Sequence, residues 1–337
     1  MKSKLFIILL AMFIIIGFYS GAVAADIKIG ALNDMTGATS DVGKDYALGI
    51  AEAIHYMNDN GGVNGKKIKL YQFDYGYRVP EALTKYKLFK RLKCVSVLGW
   101  GTGDTEALSP TVTKDKMPYV SASYSAHLTD PKKTPYNLFA ATDYSSNARA
   151  AITAWFDKKW PNHADFGKRK PRFICSYMFA SPYSSAPIKA VKDQAQLLGF
   201  EIGPDQVINW PTKDATVQLT NMSRFNPDYA YITSTAMNGA VILKNAKALG
   251  LKTKFISNIR NFEESLITLS GGAAEGTYGV HPIAPYGADV PGMKKVVESH
   301  EKWHPGETGT NVYVEGWVNI LSVTEALKNR CLCLDFQ

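Results

Sequence analysis

The stretch that decides the fold runs from Asp26 to Asp74, DIKIGALNDMTGATSDVGKDYALGIAEAIHYMNDNGGVNGKKIKLYQFD. Ile27 and Ile29 open a strand, a short polar loop follows, and Ala47, Ile50, Ile54 and Met57 then recur at helical spacing. The run Asn60-Gly61-Gly62-Val63-Asn64-Gly65 breaks that helix with residues that tolerate positive φ. Ile68, Leu70 and Phe73 make a second strand, ending at Asp74. Strand, helix, turn and strand in this order form the opening unit of a parallel α/β sheet.

The unit repeats downstream. Pro80 starts a helix carrying Leu83, Tyr86 and Leu92, Cys94 to Leu98 reads as a strand, a helix follows from about Asp104, and Pro118-Tyr119-Val120 is again a strand. From about Asp143 the pattern restarts with a helix from Ser146 to Trp160, a strand from Phe173 to Tyr177 and a helix from Ser184 to Leu198. A strand near Gln206 to Ile208, a helix around Thr216 to Phe225, the strand Tyr229 to Thr233, a helix from Asn238 to Leu249 and the strand Phe255-Ile256 complete it. Such repetition predicts parallel sheets with right-handed crossovers. The restart predicts a second lobe, since about 310 residues exceed what one core supports. The expected fold class is α/β, two Rossmann-like lobes with parallel sheets joined by a hinge.

The start of the chain reads as an export signal. Lys2 and Lys4 precede the apolar run Leu5 to Phe18, and Ala22-Val23-Ala24-Ala25 supplies the small residues of a cleavage site. The apolar run falls short of the ~20 residues of a membrane span. Cleavage near Ala24 or Ala25 is expected to release the protein into the periplasm. Removing residues 1–25 takes Lys plus Arg from 38 to 36 against 30 Asp plus Glu, so the net charge falls from +8 to +6. The basic residues are scattered, and the densest group, Lys168-Arg169-Lys170 with Arg172, flanks Pro171 like a solvated loop, so nucleic acid is not an expected partner. Cys94 and Cys175 stand in or beside buried-strand patterns, and their pairing stays open at this stage. Cys331 and Cys333, near the end of the chain, are too few and too isolated for a zinc site, which takes about four ligands. No metal or cofactor is expected.

Enzyme motifs are missing from the sequence. It has no Gly-x-Ser-x-Gly elbow and no His-Glu-x-x-His, and Gly61 to Lys67 fails the spacing of a phosphate-binding loop. The fold itself points to a binding place, because ligands of open parallel sheets sit at the carboxyl ends of the strands. There Gly99-Trp100-Gly101-Thr102-Gly103-Asp104-Thr105 leads into a helix. Glycines let backbone approach a ligand, and a helix start favours an anion, so a carboxylate is the expected bound group. Asp104 is expected to cap its own helix, and the N–H of Thr105 to point at the ligand.

The segments Ile27-Lys28-Ile29-Gly30, Met35-Thr36-Gly37 and Gly61-Gly62-Val63-Asn64-Gly65-Lys66-Lys67-Ile68 resemble the leucine/isoleucine/valine-binding branch of type I periplasmic solute-binding proteins. So do Val97-Leu98-Gly99, Met117-Pro118-Tyr119-Val120-Ser121, Leu249-Gly250-Leu251-Lys252-Thr253 and Ala273-Ala274-Glu275-Gly276, which together span nearly the whole mature chain. The resemblance implies a monomer that captures a small molecule between its lobes for ABC transporter permease subunits in the inner membrane. A sensor presenting the same ligand to a membrane receptor is the alternative. It further implies lobe 1 from 26–142 with 282–337, lobe 2 from 143–281, and crossings near Ala141 to Asp143 and Val280 to Ala284. The family continues several tens of residues past a helix like Tyr313 to Asn329, so lobe 1 is expected to be C-terminally incomplete, with a third crossing beyond Gln337.

By the same resemblance, Ser123, Tyr124 and Ser125 form the loop that holds the ligand, with Ser125 giving the hydroxyl. Tyr183 closes over it from the second lobe, and Thr235, Ile259 and Arg260 end the neighbouring strands there. Trp100 and Tyr124 are candidate apolar walls. Amino-acid binders of this branch carry an acidic residue where Ile259 aligns, so an ammonium at that point lacks its counter-charge unless Asp143 or Glu263 supplies it. The expected ligand is therefore a small hydrophobic or aromatic carboxylate, with a branched-chain amino acid as the alternative.

Overall fold

The computed structural model of the protein describes residues 26–178 and 180–334, with side chains as far as 329. The export signal read over residues 1–25 and the side chains of Cys331 and Cys333 lie outside the described residues.

Two parallel sheets carry the molecule. The first has the order β2-β1-β3-β4-β5, with β1 at Ile27–Asn33, β2 at Ile68–Asp74, β3 at Ser96–Gly99, β4 at Tyr119–Ser121 and β5 at Asn137–Leu138. Between them run the helices α1 (Ser40–Asp59), α2 (Val79–Leu92) and α3 (Thr102–Asp115). Strand β3 lies later than the apolar run alone indicates, because the ladder to β4 pairs Val97 to Gly99 with Tyr119 to Ser121. Helix α3 begins two residues before Asp104, at Thr102, and the N-cap position belongs to Gly101.

The second sheet has the order β11-β10-β9-β6-β7, with β6 at Arg172–Met178, β7 at Glu201–Ile202, β9 at Tyr229–Thr233, β10 at Lys254–Ser257 and β11 at Tyr278–Gly279. A short strand β8, Gln206–Ile208, also pairs with β6. Its helices are α4 (Tyr144–Lys158), α5 (Pro182–Ser185), α6 (Ile188–Leu197), α7 (Thr216–Phe225), α8 (Ala236–Ala248) and α9 (Glu264–Ser270). The chain then returns through α10 (Met293–Trp303) and α11 (Asn311–Leu334) to pack on the first sheet.

Each sheet has its own apolar core. Ile29, Ile50, Phe89, Leu98 and Trp317 belong to the first, while Trp155, Phe173, Tyr229 and Ile256 cover one face of the second and Ile174, Leu219, Ile232 and Leu243 the other. Cys94 and Cys175 are buried and unpaired, in different cores. Helices α1 and α11 touch backbone to backbone. A Cβ at Gly49 would stand 2.1 Å from the carbonyl oxygen of Tyr313, and one at Gly316 2.6 Å from that of Tyr46. Only glycine permits this approach, and it locks α11 to the first sheet's helical layer.

Candidate ligand cleft

The carboxyl ends of the two sheets face each other across a narrow cleft. On the first side, Asp34 organises the loop after β1. Its carboxylate accepts hydrogen bonds from the N–H of Gly37 at 2.6 Å, the N–H of Thr39 at 2.7 Å and the Thr39 hydroxyl at 2.7 Å. Thr39 in turn accepts a 2.8 Å bond from the indole Nε1–H of Trp100, so the loops after β1 and β3 are fixed to one another.

The start of α3 already holds a buried carboxyl group of its own. Asp104, third in the helix and 2 % exposed, accepts the Tyr75 hydroxyl at 2.7 Å. The backbone N–H groups of Asp104 and Gly101 lie close enough to favour its charged form, while its Oδ2 has no hydrogen-bond partner among the described residues. Burial pushes its carboxyl up to about 7, against the lowering effect of these groups. The sequence expectation that Asp104 stands at the N-cap is thus corrected by position, since Gly101 holds that place. Its carboxyl group still stands at the helix N-terminus, where the first N–H groups lack intrahelical partners. The N–H of Thr105 is likewise consumed within the fold, donating to Gly101 O at 3.2 Å.

The next loop turns inward rather than toward a ligand. Ser123 donates to the Thr102 hydroxyl at 2.8 Å, and the Thr105 hydroxyl donates to Gly101 O at 2.6 Å. Ser125, chosen from sequence as the ligand's hydroxyl partner, donates instead to Glu106 at 2.9 Å. Its strand-to-loop geometry aims Oγ back at α3. Gly103 has Pro182 of the second side 3.6 Å from the position of a Cβ, so this turn lies against the opposite lobe.

Arg260 dominates the centre. It stands on the loop after β10 and is 5 % exposed. Its Nη1 and Nη2 donate to the two carboxylate oxygens of Glu315 at 2.5 and 2.7 Å, and Nη2 also donates to Ala122 O at 2.8 Å. The guanidinium lies 4.8 Å from the centre of the Trp100 ring and 5.8 Å from that of Tyr124. The Tyr124 hydroxyl donates to Glu315 as well. Burial opposes the charge on Arg260, but the Glu315 carboxylate outweighs burial and holds the guanidinium firmly protonated. Glu315 comes from α11, so this pair joins the two sides of the cleft.

Around it stands an aromatic and apolar shell of Tyr124, Tyr144, Met178, Tyr183 and Ile259. Tyr183 meets Tyr144 edge-on at 5.3 Å and donates to Ser234 O at 3.3 Å. The remaining cavity is about 20 Å³, lined by Trp100, Tyr183, Thr235 and Arg260 from the sequence reading, together with Thr39, Val42, Tyr77, Gly101, Thr102 and Tyr144. Two contacts close it at the rim. Tyr77 meets Trp210 edge-on at 5.4 Å, and the N–H of Met237, in the first turn of α8, donates to Asp41 at 3.3 Å.

Of the residues read from sequence, Trp100, Tyr183, Thr235 and Arg260 meet at the cavity wall, while Gly103, Asp104, Thr105, Ser123, Tyr124, Ser125 and Ile259 stand behind or beside it. It missed Thr39, Tyr77, Tyr144 and, above all, Glu315. A signal for Glu315 was present: it is a carboxylate within the otherwise apolar run Val312 to Val318.

A family model described as periplasmic binding protein matches residues 26–330. The Leu/Ile/Val-binding protein of Escherichia coli (strain K12) is 24% identical over 305 residues, covering 86% of this chain and 76% of that protein. Among solved structures, an ABC transporter substrate binding protein of Aeropyrum pernix is 29% identical, with a TM-score of 0.81 over 90% of this chain and 79% of that one. A branched chain amino acid ABC transporter protein of Thermus thermophilus with bound valine is 24% identical, with a TM-score of 0.82 over 90% and 78%.

Proposed function

The chain belongs to the periplasmic binding protein family, and from that premise we propose that it is the solute-binding component of an ABC importer, taking a small organic carboxylate of amino-acid size into the cleft between its two sheets. The observation that carries this reading is Arg260. A buried guanidinium, flanked by Trp100 and Tyr124 and facing the strand ends of the other sheet, is a fit receptor for a carboxylate carrying an apolar side chain.

We draw the lobe boundaries at 26–142 with 282–337 for the first lobe and 143–281 for the second. The lobes open by bending at residues 139–143, between β5 and α4, and near residues 280–284, after β11. The family consists of solute-binding proteins, and we read no catalysis here. The buried hydroxyls of Ser123, Thr105 and Ser125 bond to a threonine, a carbonyl and a glutamate, which is a structural use of each. We further propose export, with cleavage near Ala24 or Ala25, and delivery of the solute to membrane permease subunits. No helix among the described residues is long and apolar enough to cross a membrane.

Protein purified from the periplasm, denatured and examined by mass spectrometry, is expected to lack the first 24 or 25 residues and to release a carboxylate-bearing solute. That solute, added back at ~100 times Kd, should stabilise the protein by about 2.7 kcal/mol in a thermal-shift assay. A protein that releases nothing, and whose melting point no amino acid or aromatic carboxylate raises, would overturn the proposal.

A further inference from the structure

The charge on Arg260 is already balanced inside the protein. Both oxygens of Glu315, which is 0 % exposed, accept from its guanidinium. The other titratable groups that face this pair come from several elements. Glu263 stands 3.9 Å from Arg260 Nη1 and 3.6 Å from His281 Nε2. Tyr124, Tyr144 and Tyr46 present buried phenols to the pair. Across the cleft is Asp104 with Tyr75, and Asp34 lies beyond. Burial pushes both Glu263 and Asp104 up to about 7, so each can hold a proton near neutral pH. At the centre of the cleft the Arg260 guanidinium and the Glu315 carboxylate stand bonded to each other, side by side and shielded from water.

A carboxylate that approaches Arg260 meets this pair. If the ligand is a monoanion, it or Glu315 is left as an uncompensated charge in a space with about 20 Å³ of open volume, which is strongly unfavourable. A ligand that also carries a cationic group leaves the balance unchanged, because its two charges pair with Arg260 and Glu315 in turn.

We propose that the cleft selects its solute by net charge, with Glu315 as the specificity-determining residue: a solute bearing one charge of each sign enters freely, and a bare monoanion enters only together with a proton. This rests on the reading of the cleft as a carboxylate site, and it adds to that reading a role for a residue on α11, outside the strand-end loops. It also alters the expectation built on Ile259. An ammonium that reaches the Arg260 pair has a counter-charge, supplied by Glu315 from the opposite lobe.

The test is calorimetric titration of the mature protein with three probes of one skeleton. These are L-leucine, 4-methylpentanoate, which lacks the ammonium, and 3-methylbutylamine, which lacks the carboxylate. Each is titrated between pH 6 and 8, in two buffers of different ionisation enthalpy. Leucine is expected to bind without net proton exchange and with little dependence on pH. At pH 8, 4-methylpentanoate should bind about a hundredfold more weakly. It should take up about one proton and gain about tenfold in affinity for each pH unit lowered. In Glu315→Gln the order should invert, with 4-methylpentanoate overtaking leucine and losing its pH dependence.

An equal loss for all probes in that variant would overturn the proposal, and so would tight binding of 4-methylpentanoate by the wild-type protein without proton uptake. In either case Glu315 only positions Arg260, and the cleft remains a carboxylate site. If none of the three probes binds wild-type protein, this proposal is overturned, while the carboxylate reading stands or falls on the retained solute. Should Glu315→Gln fail to fold, the proton count of the wild-type protein decides alone.

Discussion

The loop after β3 and the loop after β10 hold equivalent places at the carboxyl ends of their sheets, yet they are built differently. In the first, Trp100, Asp104 and Thr105 all have hydrogen-bond partners within their own lobe. In the second, both side-chain atoms of Asn258 and of Asn261, and both carboxylate oxygens of Glu263, are buried with no hydrogen-bond partner among the described residues. Arg260, between them, reaches across to the other lobe for its partners. A buried polar group without a partner costs about 1–3 kcal/mol. The first loop leaves one such atom, Oδ2 of Asp104, and the second leaves six, so the second holds the larger share of unmet polar capacity among the described residues.

The strongest way to break this contrast is Arg260→Ala. Glu315 would be left buried and unpaired, at a cost of about 3–5 kcal/mol. For a chain of this size that corresponds to a fall in Tm of about 5–8 °C by calorimetry. A variant that melts within a degree of the wild-type protein would mean that the second loop bears no more load than the first.

Asp104→Asn probes the first loop. The carboxyl is raised from 3.8 to about 7, so the stability that goes with its protonated form is complete below the ordinary carboxylate range and is lost as pH rises through about 7. The variant lacks this titration, and should gain roughly 2 kcal/mol relative to wild type between pH 5 and pH 8. Urea midpoints at the two pH values measure it. Parallel pH profiles for the two proteins would mean that Asp104 is ionised throughout.

Asp41→Ala has the smallest expected effect. Its carboxylate accepts the N–H of Met237 in the first turn of α8, a helix-capping bond made between the lobes rather than within one. Losing such a cap costs about 1 kcal/mol. Because the bond exists only while the lobes are together, the loss should appear as a severalfold weaker affinity for the retained solute. If affinity is unchanged while Tm falls, the contact belongs to folding and not to closure.

The sequence made the sheets legible because their signals are local. Ile27, Ile29 and the Ala47 to Met57 spacing specify a strand and a helix without reference to the rest of the chain. Strand limits were less exact, as at Cys94 to Leu98, because pairing with β1 decides where β3 begins and pairing with β4 where it ends. The site was legible where a residue's place in a loop was enough, as for Trp100 and Arg260. It was not legible where direction mattered. Nothing in the run Ser121 to Ser125 says that Ser125 turns to Glu106, and Glu315 is joined to Arg260 only by the fold, with α11 held in place through Gly49 and Gly316.

The size of the remaining cavity sets a condition on timing. A space of about 20 Å³ admits about one water molecule and no organic solute. Entry therefore waits on separation of the lobes, and so does exit. At high solute concentration the capture rate must level off at the frequency with which the lobes part, and the residence time of a captured solute can be no shorter than the interval between partings.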